Sequence, residues 1–228
     1  MKNSNNSDTF ENQNTEDLFF AKSDLNNHKI DQLVSESLKS ADDGELYLEF
    51  SENESFVFDD QRLKSASFDT SKGFGLRAIS GESSGYAHSS DITEAALKKA
   101  SNTVNFISKS GSGNFNHDFS KTNRKLYMDT NPIDTSNFED KVNTLKCIDE
   151  YARKKNPNVK QVSAALNGEW QVVRIYRPGG VFVEDIRPLV RLYISVVLEK
   201  NGRQETGNRG SGGRTEYTGF LDASYWKN

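Results

Sequence analysis

Three histidines, His28, His88 and His117, and one cysteine, Cys147, carry the strongest intrinsic chemistry in this 228-residue chain. A zinc hydrolase needs several His, Cys or carboxylate ligands converging on the ion, often two on one helix face with a Glu beside them to activate water. That spacing is missing. His28 falls at a helix start, His88 at a strand end and His117 in a polar, aperiodic stretch, and none is followed by Glu. Cys147 sits in the middle of a helical pattern beside Lys146, has no evident His partner, and reads as a small buried hydrophobe. The serines cluster in polar turns, without a strand-to-helix nucleophile elbow. We therefore assign no catalytic residue and no metal ligand within the chain.

Two glycine-containing stretches invite a phosphate-loop reading and do not support it. Gly73-Phe74-Gly75 is too short and lies among strand residues, where Gly marks a bulge or a close backbone approach. Residues 207–214, GNRGSGGR, lack the spacing and the Lys-Ser/Thr of a P-loop. They read either as a flexible turn between strands or as a backbone-rich segment lining a peptide or partner site. In the second reading Arg209, Gly210, Gly212, Gly213 and Arg214 form the site, and an arginine binds a carboxylate.

The elements that must position these residues are legible from periodicity. Ile30, Leu33, Val34, Ser37 and Leu38 recur at helical spacing after Asn26 or Asn27 as N-cap. The period then changes to two: Leu46, Leu48 and Phe50 alternate with polar groups, as do Phe56 and Phe58, and a hairpin turn is expected at 51–54. Strands at 62–69 and 73–80, with a turn at 72–73, and a short strand at 84–89 extend this meander. Asp91 and Glu94 spell a capping box for a helix with Ala95, Ala96, Ala100, Val104 and Ile107 on its apolar face. Phe138, Val142, Leu145, Ile148, Asp149 and Ala152 define a further helix, begun near 134–136 and stopped at Asn156-Pro157. Strands at 159–166, 169–176, 180–185 and 189–200 follow, with tight turns at Asn167-Gly168 and Asn201-Gly202.

The fold class is therefore α+β, two units of helix packed on antiparallel sheet. The expected organisation is a disordered polar tail over 1–24, a first domain over 25–108, a linker or long loop over 109–134, and a second domain over 135–228 with an incomplete C-terminal end. An incomplete second unit would leave an unpaired, partly apolar strand edge around 190–198.

Composition narrows the partners. The net charge of -4 arises from 29 basic and 33 acidic residues mixed along the chain, so no field favours nucleic acid. A single cysteine excludes an intrachain disulfide framework and fits a reducing compartment. The first residues lack a secretory signal pattern and no stretch reaches the length of a membrane span, so a cytoplasmic location is expected. Exposed strand edges, by contrast, can take an extended peptide through main-chain hydrogen bonds.

Certain runs are specific enough to carry a resemblance. Gly44-Glu45-Leu46-Tyr47, then Gly73-Phe74-Gly75-Leu76-Arg77-Ala78-Ile79-Ser80-Gly81-Glu82, then Asp185-Ile186-Arg187-Pro188-Leu189-Val190-Arg191-Leu192, then Gly210-Ser211-Gly212-Gly213-Arg214 occur in this order. From about residue 28 onward the chain resembles the TldD subfamily of the TldD/PmbA proteins, long labelled modulators of DNA gyrase. The resemblance implies a zinc-dependent peptidase that acts on extended or unfolded peptides and pairs with a related PmbA/TldE-type subunit. In that family the metal is held by a His-Glu-x-x-x-His helix and a further ligand beyond the Gly-rich segment, and no residue here matches them. The expectation is a portion of a metallopeptidase that is inactive alone. The alternative is a non-catalytic peptide- or partner-binding subunit.

Overall fold

The structure, a computed structural model, describes residues 15–107 and 126–227. Its elements run α1 (Thr15–Phe20), α2 (Asn27–Leu38), β1 (Asp43–Asp59), β2 (Arg62–Ser80), β3 (Ser83–Ser89), α3 (Glu94–Ile107), a 3-10 turn (Pro132–Thr135), α4 (Phe138–Lys155), β4 (Val159–Arg177), β5 (Val181–Lys200), β6 (Arg203–Gly213), α5 (Thr218–Leu221) and α6 (Ala223–Trp226). The six strands form one antiparallel sheet in the order β3-β2-β1-β4-β5-β6. The α+β class holds, and the two helix-plus-strand sets are joined by the pairing of β1 with β4, from Leu46 opposite Tyr176 to Asp59 opposite Ser163.

The four central strands are 17 to 20 residues long. At ~3.3 Å per residue each spans roughly 55–65 Å. This corrects the turns expected at 51–54, 72–73 and Asn167-Gly168, and the break between 185 and 189, all of which lie inside continuous strands. The turn-like composition is overridden by strand pairing, on both sides at 51–54 and 167–168 and on one side at 72–73 and 185–189. Ser55 donates to Asn167 at 2.7 Å across β1 and β4, and the Glu54 carboxylate is neutralised by Lys141 at 2.5 Å. The Asn201-Gly202 turn is where it was expected, with φ of 54° and 76°, as a two-residue hairpin requires.

Strand alternation places the whole core on one face. Leu46, Leu48 and Phe50 of β1 pack with Trp170, Val172 and Tyr176 of β4 under α1, α2 and α3. Further along the same strands Phe56 and Phe58 pack with Ala164 and Leu166 under α4 and α5. Because these positions differ by even numbers, both clusters lie on the same side of the sheet.

Local chemistry sets the helices. Asn26 caps α2 by accepting from the Lys29 amide at 2.9 Å, and Ile30, Val34, Ser37 and Leu38 are buried as their spacing predicts. The capping box at Asp91 is corrected: the hydroxyl of Thr93 accepts from the Ala96 amide at 3.2 Å, and α3 begins at Glu94. Ala95 is exposed, and Leu97 with Ala100 and Val104 faces the core. Asn137 caps α4, accepting from the Asp140 amide at 2.8 Å. Cys147 is exposed rather than buried, because α4 turns Leu145 and Ile148 inward.

The polar tail expected over 1–24 is corrected from Thr15 onward, where a helix buries Phe19 and Phe20. Residues 1–14 of that tail and residues 108–125 of the expected linker lie outside the described residues. The unpaired edge expected at 190–198 is also corrected, since β5 is bonded to β4 on one side and to β6 on the other.

Candidate functional site

The glycine-rich run that offered two readings is neither loop nor turn. Residues 203–213 form β6, the last strand of the sheet, paired with β5 from Arg203 opposite Lys200 to Gly213 opposite Val190. Among the described residues no strand pairs with its far side, so alternate main-chain N–H and C=O groups point outward along one edge. Such an edge can bond an extended chain through its backbone.

The proposed site residues divide between the two faces. Arg209, Ser211 and Gly213 stand opposite Ile194, Leu192 and Val190, on the helix-covered side, while Gly210 and Gly212 stand opposite Tyr193 and Arg191 on the open side. Gly212 has a steric reason: a Cβ there would lie 2.7 Å from the Val190 carbonyl oxygen. Arg209 borders a narrow cleft of about 10 Å³ with Tyr225 and Trp226, too small for a ligand. Arg214 lies just past the strand, donates to the Pro188 carbonyl at 3.4 Å and stacks over Tyr127 at 5.4 Å. The strand therefore brings the five residues to one edge but does not converge the two guanidinium groups on one point.

The residues with catalytic potential are dispersed. His28 is exposed on α2, within 3.2 Å of the Gln32 amide nitrogen; His88 is on β3; His117 lies outside the described residues. Gly81-Glu82-Ser83-Ser84-Gly85 does spell G-x-S-x-G, a pattern the sequence reading passed over. It spans the β2–β3 hairpin, with Ser83 paired to Ser80, and not the strand-to-helix turn that exposes a nucleophile. Among the described residues no three His, Cys, Asp or Glu side chains come together in a set that could hold a metal ion. The donor set present among the described residues does not fit zinc.

Two buried polar clusters went unseen at the level of sequence. In the first, Lys141 Nζ donates to Glu54 at 2.5 Å and to the Ile133 carbonyl at 2.9 Å, and lies 4.6 Å from the centre of the Tyr217 ring. Burial, then the Glu54 charge, pushes the Tyr217 phenol far above its ordinary range. The hydroxyl makes no hydrogen bond of ordinary geometry. It rests over Gly168, which faces Glu54 in register and where any side chain would collide with it. In the second, buried Arg174 donates to Glu184 at 2.7 Å, to the Thr15 hydroxyl at 2.7 Å and to Asn27 at 3.3 Å. Both serve the fold; the signal available in the sequence was Arg174, a charge at a strand position between Val172 and Tyr176.

Comparison with known proteins supplies what the geometry leaves open. Residues 44–104 match the family model described as PmbA/TldA metallopeptidase domain 1, and residues 131–228 match the PmbA/TldA metallopeptidase central domain. The chain belongs to the PmbA/TldD family. Among curated PmbA/TldD relatives, the metalloprotease TldD homologue of Haemophilus influenzae is 38% identical over 189 residues, covering 82% of this chain and 39% of the relative. That of Buchnera aphidicola from Acyrthosiphon pisum is 30% identical over 210 residues, covering 92% and 41%. The chain thus spans about two-fifths of the length of the curated relatives it matches. A Bacteroides thetaiotaomicron protein described as a modulator of DNA gyrase shares the fold with a TM-score of 0.63 at 15% identity, over 82% of this chain and 45% of that one. TldE of Thermococcus kodakarensis does so with a TM-score of 0.62 at 14% identity, over 82% and 43%. No helix among the described residues is long and apolar enough to cross a membrane.

Proposed function

We propose that this chain is the scaffold portion of a TldD-type zinc metallopeptidase that cleaves extended or unfolded peptides in the cytoplasm. In this reading residues 25–108 and 135–228 are its first and middle domains, 109–134 the connection, and metal and water activation come from outside the chain. The observation that carries it is a single sheet that joins both family segments and ends in the open edge of β6. An extended peptide would add alongside residues 209–214, with the absence of side chains at Gly210 and Gly212 leaving the open face clear and Arg209 or Arg214 meeting a carboxylate. The partner is a related PmbA/TldE-type subunit. The dispersed His and Cys side chains support inactivity of the chain on its own.

The test is zinc content and hydrolysis of an unfolded peptide, measured for the chain alone and mixed with a metal-bearing C-terminal fragment of a TldD-type relative. Zinc and activity only in the mixture are expected. Metal-dependent hydrolysis by the chain alone would overturn the reading, and peptide binding that never leads to hydrolysis in the mixture would favour a non-catalytic binding subunit.

A further inference from the structure

A concavity of about 320 Å³ opens on the face of the sheet away from the helices, where β1, β2 and β3 run together. Its walls are Tyr47 and Glu49 of β1 and Tyr86 and His88 of β3, and its floor is Gly73 and Gly75 of β2. Register explains the shape. Gly75 lies between Tyr47 and His88, and Gly73 lies beside Glu49. A Cβ on Gly75 would come 2.6 Å from the Tyr86 hydroxyl, and one on Gly73 would come 2.8 Å from the Ser89 carbonyl oxygen. The two glycines thus let the Tyr86 ring and the Ser89 backbone pack directly against β2, the close approach expected of this motif.

The lining is aromatic with one charge in excess. Tyr86 and His88 stack at 5.7 Å with their planes 27° apart, and Tyr86 is 62% exposed. The Tyr47 hydroxyl donates to Glu49 at 2.6 Å, and among the described residues this is the carboxylate's one partner. The cations nearby are engaged elsewhere: Lys72, which borders the concavity, reaches the Leu18 carbonyl at 3.4 Å on the opposite face, Arg77, in register with Tyr86, is held by Glu45 at 2.9 Å, and Arg187 is held by Asp185 at 2.6 Å. Ring faces attract cations, an unpaired carboxylate attracts them further, and apolar walls accommodate a methylene stem. A pocket of this size lies at the lower end of the range for small-ligand sites, roughly 300–1,000 Å³.

We propose that this concavity binds the guanidinium or ammonium cation of a side chain, with Glu49 opposing the charge and the rings of Tyr47, Tyr86 and His88 enclosing it. The site deepens the peptide-scaffold reading, since a basic residue of an extended substrate is one source of such a group and a small organic cation the other. Its readout requires neither metal nor hydrolysis, so the two ideas fail separately.

The experiment is a titration of the full 228-residue chain, followed by amide chemical shifts, with three ligands: N-acetyl-arginine amide, its neutral isostere N-acetyl-citrulline amide, and a Gly/Ser peptide carrying one central arginine. The arginine amide should shift the amides of Gly73, Gly75, Tyr86 and His88, and citrulline should bind at least about tenfold more weakly. Glu49→Gln should weaken arginine binding about tenfold with an unchanged thermal melt, and Tyr86→Ala, at an exposed position, should weaken it independently. Tighter binding of the peptide than of the amide assigns the site to polypeptide, and the reverse assigns it to a free cation. Equal binding of citrulline, unaffected binding in folded Glu49→Gln, or shifts confined to other strands would overturn the proposal.

Discussion

Removing the Lys141 ammonium would leave the Glu54 carboxylate buried against Tyr217 with no opposing charge, because both members of the pair are almost fully shielded from water. Breaking such a pair from one side costs about 3–5 kcal/mol, whereas replacing both members by apolar groups of similar size is often neutral. Urea denaturation should therefore show Lys141→Met losing stability in that range, and Lys141→Met combined with Glu54→Leu losing clearly less. Gly168→Ala should cost about 1–3 kcal/mol by the same assay, since the new methyl meets the Tyr217 ring on a strand that has no room to shift. At this scale the sequence was least legible. Asn167-Gly168 has the composition of a tight turn, and only knowledge that Tyr217, far along the chain, packs onto it explains the glycine. Cys147 misled for a related reason: helical periodicity limits which residues face inward but leaves a one-position ambiguity at the margin of the stripe.

At the scale of elements, α2, α3 and α4 were found from spacing because apolar stripes are local signals, whereas α1, α5 and α6, four to six residues long, are too short to show one. Strand ends were not, because whether Ser51 through Glu54 bends or stays extended depends on partners more than a hundred residues away. The link between α2 and α3 has a pH signature. Glu94, at the start of α3, is paired with Lys29 of α2 at 2.5 Å and with Lys98 at 2.6 Å. Hydrogen bonds from Lys29 and then Lys98 draw its carboxyl from 4.5 down to about 2. A carboxyl depressed in the folded state contributes stability that is complete above its unfolded value and is lost as the pH falls through the folded one. The stability difference between the native chain and Glu94→Gln should thus be full above pH 4.5 and vanish toward pH 2. Raised ionic strength should shrink it, because the pair is open to solvent. Arg174 ties α1 down in the same way that Lys29 ties α3. Arg174→Met should cost about 2 kcal/mol, discounted for the partial exposure of Glu184, and hydrogen exchange should show residues 15–20 losing protection before the sheet does.

Across the whole molecule, one sheet carrying both cores predicts one cooperative unit. The two tryptophans make this measurable: Trp170 packs edge-on against Phe50 at 6.2 Å in one core, and Trp226 lies against Tyr151 at 5.9 Å beside the other. Single-tryptophan variants, Trp170→Phe and Trp226→Phe, should report the same urea midpoint as far-UV circular dichroism. Separate midpoints would mean that the β1–β4 junction does not couple the halves. The fold class was legible because period-two and period-3.6 patterns alternate along the chain. The union of the two halves was not, since strand order is a property of pairing and leaves no mark in composition. The candidate edge was legible as residues, and only the flexible-turn reading of it is corrected, because glycine signals freedom in a sequence and can also mark close packing in a sheet.

The long strands also constrain how such a chain can change length over generations. In β1 the residues facing inward at Leu46–Phe50 and at Phe56–Phe58 belong to one uninterrupted alternation that serves two separate cores. A single codon gained or lost between them would turn one of the two groups out to solvent while leaving the other in place. Length variation in these strands is therefore tolerable only in pairs of codons or accompanied by a compensating bulge, and odd insertions should be confined to the hairpin tips at 60–61, 81–82, 178–180 and 201–202.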